Sequence, residues 1–131
     1  MEVFQTLQKQ WEDRLILQPV SLVGGDYYLT QAGEKLANQV ADVGGILGGV
    51  PFMSSDVDNQ LDRLFSLAKE RQLDLDLHTD ENGDPNSRVL HKVAEKAISY
   101  QFPGKIICGH CCSLAVQTPE KVTETLKLVK E

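Results

Sequence analysis

The chain has 131 residues, 41% of them apolar, and carries 13 Lys and Arg against 19 Asp and Glu for a formal charge of −6. This is one domain's worth of sequence, with enough apolar content to bury a sizeable core. The acidic balance excludes the clustered basic surface that nucleic acid requires, and no apolar run approaches the roughly 20 residues that span a bilayer. Met1-Glu2-Val3-Phe4-Gln5 is no secretory signal, and three Cys crowded between Cys108 and Cys112 make no disulfide framework, so a cytoplasmic location is expected. A neutral small molecule is the expected partner.

Helical and strand-like patterns alternate along the chain. Val3, Leu7 and Trp11 have helical spacing, and Arg14 to Pro19 is a short apolar run expected to form a first strand that stops at its proline. Thr30 is placed to cap a helix reaching about Asp42, with Leu36 and Val40 inward, and Ile46 to Val50 reads as a second strand ended by Pro51. Val57, Leu61, Leu64, Phe65 and Ala68 mark the clearest amphipathic helix, capped by Ser55 or Asp56, and it leads into a third strand at Leu73 to His78. Asp84-Pro85 reads as a cap followed by Pro at the first helical position, opening a helix with Val89, Leu90, Val93, Ala94, Ala97 and Ile98 inward. Lys105 to Gly109 supplies a fourth strand, and Thr118-Pro119 opens a last helix carrying Val122, Leu126 and Val129 on one face.

Four strands alternating with five helices predict a parallel α/β arrangement. The expected strand ends at Gln18, Gly49, His78 and His110 fall 31, 29 and 32 residues apart, an even pitch that suits a (β/α) barrel. A full barrel needs eight strands and about 250 residues, so the chain accounts for half of one.

Strand parity assigns faces. Leu73, Leu75 and Leu77 point toward the helices, whereas Asp74, Asp76 and His78 point into the barrel, where the two carboxylates need partners such as Arg14. The same parity puts Ile106, Cys108 and His110 on one face, and with Gln18 the two His would meet at the carboxyl mouth, where ligands bind in parallel α/β folds. His78 has the chemistry of a metal ligand, and equally that of a strand-end His held for structure. Glu81, three residues on, could serve as a general acid/base, or stand as a solvated loop acid in the acidic stretch Asp80 to Asp84. His110 could act on an attacking water or pack in the core. Gln18 could hold the amide edge of a ligand, and His91, on a polar helix flank, reads as solvated.

Cys108 and Cys111 spell C-x-x-C, the pattern of thiol-disulfide oxidoreductases. Their position argues against it, because Cys108 falls inside a strand pattern near the end of the chain rather than opening a helix near its start. The zinc-deaminase pattern H-x-E with P-C-x-x-C is absent.

Leu15-Ile16-Leu17-Gln18, Asp76-Leu77-His78-Thr79-Asp80-Glu81, Ser87-Arg88 and Gly109-His110-Cys111-Cys112-Ser113 together resemble the middle of an amidohydrolase-superfamily cytosine deaminase. The resemblance covers nearly all of residues 1–131 and implies a single segment of a partial (β/α)8 TIM-barrel, roughly strands three to six. It further implies hydrolytic deamination of cytosine or a related heterocyclic amine or amide. His78 would be a ligand of one divalent metal ion, iron or zinc, and Glu81 the proton shuttle to a ring nitrogen. His110 would hydrogen-bond the metal-bound hydroxide, and Gln18 would hold the substrate's amide edge. The family's first-strand His-x-His and eighth-strand Asp have no counterpart here, so the chain is expected to be inactive alone and to self-associate through open sheet edges. The rival expectations are a noncatalytic α/β binding module and a redox protein using Cys108 and Cys111.

Overall fold

The computed structural model describes residues 2–131. Three strands, β1 (Leu47–Gly49), β2 (Leu75–Thr79) and β3 (Ile106–His110), form one parallel sheet in that order. Five helices accompany it: α1 (Glu2–Trp11), α2 (Gln31–Asp42), α3 (Val57–Arg71), α4 (Val89–Ser99) and α5 (Pro119–Val129). None of them is long and apolar enough to cross a membrane.

The expected strand at Arg14 to Pro19 is not formed. Arg14 N and Leu15 N bond back to the Trp11 carbonyl, closing α1 in a turn, and Ile16 is 97% exposed. The extended chain that follows instead lies beside β1 through two isolated parallel bridges, Val20 with Ile46 and Gly24 with Val50. Between these bridges side chains complete the pairing. Gly48 N donates to Ser21 Oγ at 2.9 Å, and the buried Tyr28 hydroxyl donates to the Gly48 carbonyl at 2.6 Å. A Cβ at Gly48 would collide with the Ser21 carbonyl oxygen, so the close approach requires glycine there.

The core lies between the sheet and its helices. Leu47, Leu75 and Leu77 from the strands meet Leu61, Leu64, Phe65 and Ala68 of α3, and all are fully buried. Each of these Leu and Phe side chains contributes roughly 1.5–3 kcal/mol relative to exposure. On α2 the buried residues are Gly33, Ala37 and Val40, with Leu36 at the margin, and Thr30 Oγ1 accepts from Gly33 N as the expected cap. Thr118 caps α5 in the same way, with Pro119 in the first turn.

α4 begins at Val89, later than the Asp84-Pro85 signal suggests. Asp84 is occupied in a turn, its Oδ1 accepting from Asn86 N at 2.8 Å, and the helix is capped from a distance. The buried Asp80, just past β2, accepts from Val89 N at 2.8 Å and Leu90 N at 2.9 Å. A strand-end carboxylate thus satisfies the orphan donors of the next helix.

Candidate active site

On β2 the expected parity is found: Leu75, Leu77 and Thr79 are buried among the helices, and Asp76 and His78 face the other way, half-buried. Asp74 and Asp76 require no buried partner there. Asp74 Oδ1 accepts from Lys105 N at 2.7 Å, while Arg14 lies over the Trp11 ring, 5.7 Å from its centroid.

On β3 the expected parity is inverted. Ile106 and Cys108 pack against the helix-side core, and Ile107 is the residue that faces out, 55% exposed. The register explains this, since Ile106 lies opposite Leu75, Cys108 opposite Leu77, and His110 opposite Thr79. A regular strand would therefore send the His110 ring toward the helices. It reaches the His78 side because the backbone turns left-handed there, with φ of 65° at His110 and 50° at Cys111.

The turn is tied to β2 at several points. Cys111 N donates to the Thr79 carbonyl at 2.9 Å, and Thr79 Oγ1 donates to the Gly109 carbonyl at 3.2 Å. Ser113 N donates to the Asp80 carbonyl at 3.2 Å, and Ser113 Oγ donates to the Asn82 carbonyl at 3.0 Å. Asp80 itself, with φ of 51°, accepts from Ser87 Oγ at 2.6 Å as well as from α4. Its burial is 4% exposed, so the residue before Glu81 is fixed on all sides.

These ties bring His78, Glu81 and His110 together. His110 Nε2 lies 3.2 Å from His78 Nδ1 and 3.4 Å from Glu81 Oε2, and the two rings meet edge to face with centroids 4.6 Å apart. One donor atom from each of the three lies within 4.8 Å of the others. Two imidazole nitrogens and a carboxylate oxygen on one side of the strand ends form a donor set suited to zinc or iron. The same set can take up or release a proton at the Glu81 carboxylate.

Gln18 is not part of this cluster. It precedes the Val20–Ile46 bridge, whereas His78 lies past the level of β1's end. About six strand steps, roughly 20 Å, separate the two levels. The end of the extended segment that does reach the level of Val50 is Gly24. His91 is not solvated but engaged: its Nδ1 lies 2.9 Å from an Arg88 guanidinium nitrogen and 3.2 Å from Thr125 Oγ1, joining α4 to α5. Burial, with the neighbouring Cys111, Asp76 and Asp80, pushes the Cys108 thiol up to about 12, the opposite of an activated redox thiol. Sequence reasoning missed Asp80 as the anchor of the site. Its signal was an acid placed between a strand and a helix whose first turn offers free N–H groups.

No protein-family model matches the chain. Among curated proteins, it is 40% identical over 129 residues to a pterin deaminase from Rhizobium rhizogenes (strain K84), a match covering 98% of this chain and 30% of that protein. It is 25% identical over 134 residues to N-isopropylammelide isopropyl amidohydrolase from Pseudomonas sp. (strain ADP), covering 100% of this chain and 33% of that protein. Among solved structures, 5-methylcytosine deaminase from Klebsiella pneumoniae bound to phosphonocytosine superposes with a TM-score of 0.84 at 23% identity, over 98% of this chain and 32% of that one. The chain therefore spans about a third of the length of the proteins it matches. Its whole length is related to a part of the amidohydrolase-superfamily deaminases.

Proposed function

We propose that this chain is a segment, roughly strands three to six, of a metal-dependent (β/α)8 hydrolase that deaminates a heterocyclic substrate, with His78, Glu81 and His110 at its reacting end. The convergence of these three side chains at the carboxyl ends of β2 and β3 carries the reading. The likeness to a pterin deaminase, the closer in identity of the two curated relatives described, favours a pterin or similar heterocycle over cytosine itself.

His78 would hold one divalent ion, and the chemistry such an ion supplies is to make water acidic enough to attack near neutral pH. Glu81 moves the proton. Its exposed carboxylate, next to the anchored Asp80, takes a proton from the attacking water and gives it to a ring nitrogen; the proton left on the added hydroxyl then passes to the amino group as the C–N bond breaks, so that ammonia leaves and a carbonyl remains. His110, reaching both His78 and Glu81, orients the attacking oxygen toward the amidine carbon. Gln18, at the far end of its segment, is given no role in this reading.

The segment can be tested by exchanging it for the matching third of the Rhizobium pterin deaminase and measuring ammonia release with metal content. Turnover by the exchanged enzyme is expected, and Glu81→Gln should lower it about 10²-fold or more while metal stays bound. His78→Ala should lose the metal. Undiminished turnover in Glu81→Gln would remove Glu81 from the mechanism.

A further inference from the structure

The loop after β1 carries two apolar side chains that the core does not use: Phe52 is 62% exposed and Met53 is 43% exposed. Exposed apolar residues are common singly, and Ile16 and Val3 are more exposed still. Phe52 and Met53 differ in their position. They are consecutive, they stand at the carboxyl end of a parallel strand, and they rim one small cleft of about 10 Å³ together with His78, Glu81 and Asn82. The same cleft therefore holds an apolar wall and the groups assigned above to metal and proton.

The chemistry of that wall is specific. An aromatic ring offers a π face, and a thioether offers a polarizable, adaptable contact that favours aromatic partners. Neither makes directional demands on the edge of a ligand, which leaves ring nitrogens and exocyclic groups free to meet Glu81 and His110. We infer that Phe52 and Met53 are a stacking platform for the face of a planar heteroaromatic ring, and so determine which substrates this site accepts. This rests on the functional reading above and extends it: the platform selects flat, conjugated substrates over saturated or aliphatic amines and amides.

The test exploits the methionine count, since the chain has only Met1 and Met53. The 131-residue chain is labelled at its Met methyl carbons and titrated with pterin, and the Met53 methyl and the His78 and His110 ring signals are followed by NMR. The expected result is a saturable upfield movement of the Met53 methyl from the ring current of the bound heterocycle. Phe52→Ala should weaken the apparent affinity roughly two- to tenfold, the scale of one aromatic contact, and Phe52→Tyr should restore it. Phe52 is exposed, so these variants keep the fold, and circular dichroism checks that. Movement of the His78 and His110 signals with a still Met53 methyl would overturn the platform while leaving the deaminase reading intact. No movement of any of these signals at saturating pterin would likewise overturn the platform, while turnover by the exchanged enzyme tests the functional reading on its own.

Discussion

β2 and β3 are paired along their whole length, yet they belong to different kinds of surroundings. β2 has a strand on each edge, and Leu75 and Leu77 are fully buried beneath it. β3 has β2 on one edge and no described strand on the other; Ile106 and Cys108 are half-buried, and Ile107 is 55% exposed. Between β3, α4 and α5 lies an apolar groove of about 780 Å³, lined by Val93, Ala97, Phe102, Ile106 and Leu128 among others. The site straddles this divide, with His78 on the packed strand and His110 on the edge strand. Its geometry therefore depends on the bonds that carry order across: Thr79 to Gly109, Cys111 to Thr79, and Ser113 to Asp80 and Asn82.

The sharpest way to break the comparison is at Asp80. Asp80→Ala removes the acceptor for Ser87 Oγ, Val89 N and Leu90 N in a buried setting, and it should cost roughly 4 kcal/mol in denaturant unfolding, an effect of unsatisfied buried donors and a lost cap. A loss below about 1 kcal/mol would mean that water takes over the carboxylate's role. Next in size, Leu77→Ala should cost roughly 3 kcal/mol in the packed half, whereas Leu128→Ala, half-buried on α5, should cost roughly 1 kcal/mol. Equal losses at the two positions would erase the distinction between the halves. The smallest effect in free energy concerns the open edge of β3, which together with the apolar groove should draw copies of the chain together. Light scattering should find a mass that rises with concentration, and a constant monomer mass would show that the edge is protected.

The packed half was the legible half. Apolar spacing at 57–68 located α3, and the strict alternation of Leu75, Asp76, Leu77 and His78 gave the correct face for His78. β3 misled because Ile106, Ile107 and Cys108 are apolar on both faces, so no alternation marks which side is inward. The left-handed turn that swings His110 back was equally hidden, since the neighbouring Gly109 is the residue expected to take such a conformation. Gln18 was misplaced because Leu15 to Leu17 reads as a strand, although Arg14 N and Leu15 N bond back to Trp11 and residues 15–18 then run on outside any strand pairing. The role of Asp80 depends on two elements meeting in space, which no local pattern records.

The central claim is that His78 and His110 form one site at the sheet's carboxyl end. The three histidines of the chain make a direct measurement possible, because His91 is held by Arg88, Thr125 and Glu95 and serves as an internal reference. Zinc is added to the chain while the imidazole signals are followed by NMR. The account predicts that the His78 and His110 signals move together with a single affinity, that His91 stays in place, and that the response persists in Glu81→Gln. Independent movement of His78 and His110, or a response confined to one of them, would contradict it.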